Sequence, residues 1–89
     1  MFRNKLKLTK TLINRIEINP AVLTGKPIIK GTRIPVELIL KMTAQGVTFA
    51  EILNEYPQLV EKDIYAALEY AHKIVEDEEI YPLVFAPQL

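Results

Sequence analysis

A mainly α domain, with a small N-terminal β-element followed by a three-helix bundle, is the fold class this sequence predicts. Three observations carry it. A period-two run, Arg15-Ile16-Glu17-Ile18, is broken by Asn19-Pro20. Thr48-Phe49-Ala50-Glu51 has the spacing of a helix-opening capping box. Beyond it, apolar residues recur at three- and four-residue steps, with Gly46 and Pro57 as punctuation.

The elements follow in order. Residues 1–14 read as a basic N-terminal arm, with a short helix or strand expected about residues 6–13. Residues 15–18 predict a strand, and Ile28 to Ile34 a second β-prone run interrupted by Gly31, where a bulge or a close backbone approach is expected. The two runs pair or form a hairpin. On such a strand Lys26 and Lys30 would share a face with Ile28. Pro35 suits the first turn of a helix, where its missing N–H costs nothing, and Glu37 favours the positive helix end. Val36, Leu38, Ile39, Leu40 and Met42 are apolar nearly all round, so this helix should be buried on more than one side. It stops at Gly46.

The second helix carries Phe49, Ile52, Leu53 and Tyr56 on one face, with Val47 and Ile52 placed as a hydrophobic staple. Pro57 ends it, because the residue before proline is pushed out of the helical region. A third helix starts near Val60 or Glu61, presents Ile64, Ala67, Leu68, Ala71 and Val75 on one face, and runs towards Glu79. With such short connections the three helices make a compact bundle of the homeodomain-like, helix-turn-helix kind. Residues 15–79 are thus the domain, and residues 80–89 an uncharged apolar C-terminal tail with two prolines.

Composition bounds the function. At 89 residues there is one domain, and 49% hydrophobic residues is high for so small a monomer, which points to a homodimer. Val36, Leu40 and Met42 in particular exceed what one small core is expected to absorb. The absence of cysteine excludes disulfides, thiol catalysis and thiolate metal sites. No apolar run approaches the ~20 residues needed to span a bilayer, and the N-terminus lacks the features of a secretory signal, so a cytoplasmic protein is expected. With no serine and a single histidine, His72, beside Ala71, catalysis has little to work with. The acids at 76–79 point in different directions around a helix, which favours a solvated helix end over a metal site. Neither enzymatic activity nor a cofactor is expected.

Charge is zero overall but divided. Residues 1–41 carry nine Lys/Arg against two acids, a net of +7, and residues 42–89 two Lys against nine acids, a net of −7. That permits a basic surface for nucleic acid, or simply two halves that pack together. The most punctuated stretch, Gly-Lys-Pro-Ile-Ile-Lys-Gly-Thr-Arg-Ile-Pro-Val from Gly25, is not a phosphate loop of the Walker kind. Pro27 removes an amide donor where one is needed, and Gly31 is followed by Thr32 and Arg33 rather than by Lys. Two readings of it stay open. Lys26, Lys30 and Arg33 touch phosphates, together with Arg3, Lys5, Lys7, Lys10 and Arg15; or Gly31-Thr32-Arg33 is a turn whose side chains bond loop carbonyls.

The segment from about residue 16 to residue 71 resembles the bacterial domain-of-unknown-function 433 family, regarded as VapB-type, helix-turn-helix antitoxins. The match lies in Ile18-Asn19-Pro20, Gly25-Lys26-Pro27 and Gly31-Thr32-Arg33-Ile34-Pro35-Val36. It continues through Gly46, Glu51-Ile52-Leu53, Tyr56-Pro57, Asp63-Ile64, Ala66-Ala67-Leu68 and Tyr70-Ala71. The resemblance implies a small β-element plus three helices, a dimer, and pairing with a PIN-like ribonuclease toxin. One departure is Val60, where family members often have Ser or Thr; valine cannot cap the helix, forfeiting ~1 kcal/mol.

The expected function is therefore an antitoxin that binds a PIN-like toxin and, as a second partner, its own operator DNA. The alternative is a dimeric structural or interaction module without DNA binding. Against DNA, the third helix is the usual major-groove reader, yet residues 61–79 hold two Lys and seven acids. Glu61 and Asp63 are read there as acids whose removal would help a duplex approach. Ile80, Tyr81, Leu83, Val84 and Phe85 in the tail either fold back over the domain or its mate, or form an arm for the toxin.

Overall fold

The computed structural model describes residues 12–77. In chain order these residues form β1 (Ile16–Ile18), a single 3-10 turn (Leu23–Gly25), β2 (Pro27–Ile29), α1 (Val36–Ala44), α2 (Phe49–Glu55) and α3 (Glu61–Asp77). The expected architecture of a two-stranded β-element before three helices is what the chain adopts. The basic arm apart from Leu12 onwards, and the tail residues 80–89, lie outside the described residues. Leu12 is already buried.

β1 and β2 pair antiparallel, with Ile16 opposite Ile29, Glu17 opposite Ile28 and Ile18 opposite Pro27. The connection begins as an Asx turn. The Asn19 side-chain oxygen accepts the Ala21 N–H at 2.9 Å, and the Asn19 carbonyl accepts the Val22 N–H at 2.8 Å. Leu23, Thr24 and Gly25 then take φ of 50°, 53° and 82° in succession. Two non-glycine residues in this region store local strain, of order 1–3 kcal/mol each.

The second β-prone run differs from expectation. β2 stops at Ile29, and the Thr32 N–H donates to the Ile29 carbonyl at 3.0 Å, closing a tight turn over residues 29–32. Gly31 holds φ of 82° there, and nothing lies within 4 Å of where a Cβ would be. It is a turn glycine, not a bulge or a point of close approach. Lys26 and Lys30 consequently flank β2 instead of sharing a strand face with Ile28, which is buried while both lysines are exposed. Thr32 braces the turn: its hydroxyl donates to the Ile29 carbonyl at 2.7 Å and accepts the Ile34 N–H at 3.0 Å. Ile34 and Pro35 then run back along β2, where Ile28 and Pro35 form an isolated bridge.

Pro35 is the N-cap of α1, one position before its first helical residue. Glu37 stands in the first turn and Lys41 in the last, each complementary to the helix dipole. The helix ends in a Schellman motif. The Val47 N–H donates to the Met42 carbonyl and the Gly46 N–H to the Thr43 carbonyl, both at 3.0 Å, with Gly46 at φ of 86°. Immediately afterwards the Thr48–Glu51 capping box opens α2, and Tyr56 leaves the helical region before Pro57. The backbone N–H of Thr48, then its hydroxyl, hold the Glu51 carboxylate below its ordinary range.

The core is one aliphatic cluster: Ile29, Ile34, Val36, Ile39, Ile52, Leu59, Ile64 and Ala67. α1 packs against α3, α2 against both, β1 against α3 and β2 against α1. Val36 is wholly absorbed by this core, and Leu40 and Met42 are partly buried against it. Of these three residues only Val36 is fully covered within one copy, and Leu40 and Met42 keep part of their apolar surface accessible. Phe49 of α2 and Tyr65 of α3 meet edge to face, with ring centroids 5.3 Å apart. On α3 the buried face is Asp63, Ile64, Ala66 and Ala67, whereas Val75, expected on that face, is exposed.

Asp63 corrects two expectations at once. It is not a solvated acid but a buried one, 5% exposed. One carboxylate oxygen accepts from the Arg15 guanidinium at 3.0 Å, and the other accepts the Val60 backbone N–H at 2.9 Å. The start of α3 is therefore capped in part from within the helix: its third residue satisfies the Val60 amide, while valine at position 60 offers no hydroxyl to the amides that follow. The same carboxylate ties α3 to the entry of β1. Asp63→Ala is expected to lower stability by about 2–3 kcal/mol through the lost cap and the lost charge-assisted bond. Asp63→Asn, which keeps an acceptor for Val60, should cost about half as much. Urea unfolding reads both, and an unchanged midpoint for Asp63→Ala would remove Asp63 from this role.

Candidate functional site

A groove of about 350 Å³ opens between α1, α3 and the start of β2. Its floor and walls come from Pro27 on β2, Val36 and Leu40 on α1, and Tyr70, Ala71, Ile74 and Val75 on α3. The polar side chains at its edge are Lys26 and Glu37, whose charged groups meet at 2.9 Å. The sequence produces this shape by simple means. The left-handed turn at Leu23–Gly25 delivers Lys26 and Pro27 to the rim. Ala71 adds only a methyl group to the wall that α3 supplies, and from His72 to Asp77 the helix is exposed. Ile74 and Val75, 42% and 56% exposed, extend the apolar wall towards the helix end.

Of the cations singled out in the sequence, Arg3, Lys5, Lys7 and Lys10 lie outside the described residues, as do Ile80, Tyr81, Leu83, Val84 and Phe85. Arg15 spends its guanidinium on Asp63. Lys26 is paired across the groove rim with Glu37. Lys30 and Arg33 are exposed, on the turn after β2, and make no ion pair among the described residues. The structure thus divides the basic cluster: two cations serve contacts within the fold, and two face solvent together. His72 is near Glu69, at 3.4 Å on the α3 surface. Among the described residues no group of three or more His, Cys, Asp or Glu could hold a metal ion, and no helix is long and apolar enough to cross a membrane.

The groove was not legible in the sequence. Only Val36, Leu40, Ala71 and Val75 among its residues read as apolar helix-face positions, and no spacing rule joins Pro27 to Ile74. The exposed Ile74–Val75 pair next to an uncharged tail was the one available signal.

The fold belongs to a recognisable class. The sequence matches, over residues 16–71, the family described as "Protein of unknown function (DUF433)". The chain belongs to that family. It is similar to a solved structure, the crystal structure of a DUF433 member protein from Anabaena variabilis ATCC 29413, at 35% sequence identity. The match covers 84% of this chain and 74% of that one, with a TM-score of 0.66. No curated protein matches the sequence.

The rim ion pair should matter little for stability, since its side chains are 50% and 67% exposed and solvent screens the attraction. Lys26→Ala and Glu37→Ala are each expected to shift stability by no more than about 0.5 kcal/mol in thermal or urea unfolding. A loss of several times that would mean the pair holds the groove open.

Proposed function

We propose that this chain is the antitoxin of a toxin–antitoxin pair, acting by binding, without chemistry of its own, on a PIN-like ribonuclease. The observation that carries the reading is the apolar groove, continued by exposed Ile74 and Val75 on the acidic helix α3. An apolar centre with a charged surround is the composition of a specific protein-binding surface. A ribonuclease must present a cationic face to hold RNA. Glu61, Glu76 and Asp77, all exposed along α3, are complementary to such a face and would steer the encounter. The tail residues Ile80, Tyr81, Leu83, Val84 and Phe85 supply further apolar anchors for the nuclease. A homodimer would present two such surfaces.

The nuclease encoded by the neighbouring reading frame is expected to co-purify with this chain and to lose its activity in the complex. Replacing Ile74 and Val75 by Lys should weaken that complex by about tenfold or more, because charged side chains then replace apolar contacts. A neighbouring frame that encodes no such nuclease, or a nuclease that ignores this chain, would sink the reading.

Binding to operator DNA is a second reading, favoured by one observation: Lys30 and Arg33 are exposed together and unpaired among the described residues. With Arg3, Lys5, Lys7 and Lys10 they would contact phosphates, so affinity should fall steeply with salt. Replacing these six by Gln should weaken binding to all sequences alike. Arg15 and Asp63 are left out of that set, since altering either breaks a contact of the fold. An electrophoretic shift on upstream DNA at low salt that shows no complex would eliminate it.

A further inference from the structure

We infer that the groove between α1 and α3 is the seat of the chain's own C-terminal tail. The chain outside the described residues has two ends of opposite chemistry. Residues 1–11 carry four Lys/Arg, which an apolar groove would strip of water at high cost. Residues 80–89 carry no charge and include Ile80, Leu83, Val84 and Phe85. The groove wants the second kind. Apart from the self-neutralised Lys26–Glu37 pair, its lining is apolar, and its volume of about 350 Å³ takes a few large side chains.

Geometry makes the intramolecular route short. α3 lines the groove with Tyr70, Ala71, Ile74 and Val75 and ends two residues later at Asp77. Glu78 and Glu79 are the whole connection needed before the uncharged run begins. From Tyr70 to Asp77 the helix rises only about 10 Å, and the seven residues from 78 to 84 can span up to about 23 Å. A tail that reverses after α3 therefore has length enough to return along the whole stretch of α3 that lines the groove. A tether this short holds it at an effective concentration of order millimolar, so even weak apolar contacts keep the groove filled. The exposure of Ile74 and Val75 has the same explanation: they are the near end of the seat.

Docking of the tail has a consequence for capture that rests on the antitoxin reading. A partner that uses the tail must first draw it out of the groove, so binding is taxed by the docked fraction.

The test uses the full chain. It has no cysteine, so Val84→Cys accepts a single nitroxide. Amide signals of Leu40, Ala71 and Ile74 are expected to broaden while those of α2 do not. The broadening should persist when the labelled chain is diluted into an excess of unlabelled chain. Ile74→Lys, at an exposed position, should abolish it at Leu40. In the unlabelled full chain the same substitution should speed chymotryptic cleavage after Phe85 by roughly tenfold or more, as the open population rises; the Tyr81-Pro82 bond is closed to the protease by its proline. No broadening at Leu40, or equal cleavage rates with and without Ile74→Lys, overturns the inference. Broadening lost on dilution gives the groove to a second copy and overturns it equally. Capture of the nuclease is measured separately, so tail docking and the antitoxin reading fail independently.

Discussion

A buried carboxylate governs how the two halves of this domain meet. Asp63 sits at the third position of α3, where a helix has free amides, and it satisfies one of them at Val60. Its other oxygen holds Arg15, 48 residues earlier, just before β1. A charge cannot be buried at that place unless both partners are present, so the pair fixes β1 against α3 more specifically than apolar packing could. β1 in turn aligns β2, and β2 positions Ile29, Ile34 and Val36 for the core. The divided charge of the sequence is partly explained by this. Arg15 from the basic half and Asp63 from the acidic half are one contact of the fold.

The punctuated stretch from Gly25 to Val36 is explained by backbone geometry. Gly31 turns the chain, Thr32 ties both sides of the turn, Ile34 and Val36 enter the core, and Pro35 starts α1. None of these roles requires a ligand. What the stretch contributes to a surface is indirect: it sets Lys26 and Pro27 at the rim of the groove and leaves Lys30 and Arg33 in solvent.

The proposed function rests on a difference between the two ends of α3. Its first half is consumed by the core through Ile64, Ala66 and Ala67. In its second half the apolar residues Ile74 and Val75 line the open groove beside α1 and stay exposed. A helix with exposed apolar residues, beside a groove and followed by an uncharged tail, is built to be covered. The acidic residues on its exposed side restrict what can cover it.

Local rules determined much of this protein from sequence alone. The Thr48–Glu51 box, the Gly46 terminus and the Pro57 stop were all legible, because each depends on backbone groups within a few residues of one another. The three helices and their main apolar faces followed from periodicity. Only tertiary structure decided the rest. By side-chain character alone Val75 belongs on the buried face of α3 and Asp63 outside, yet the acid is buried and the valine exposed. Burial depends on what stands across from a residue, and that, Arg15 for one and an open groove for the other, is set by chain segments far away in sequence. The break of β2 at Ile29 was hidden for the same reason, since Ile28 to Ile34 is β-prone throughout and only pairing with β1 and the return of Ile34 show where the strand must end.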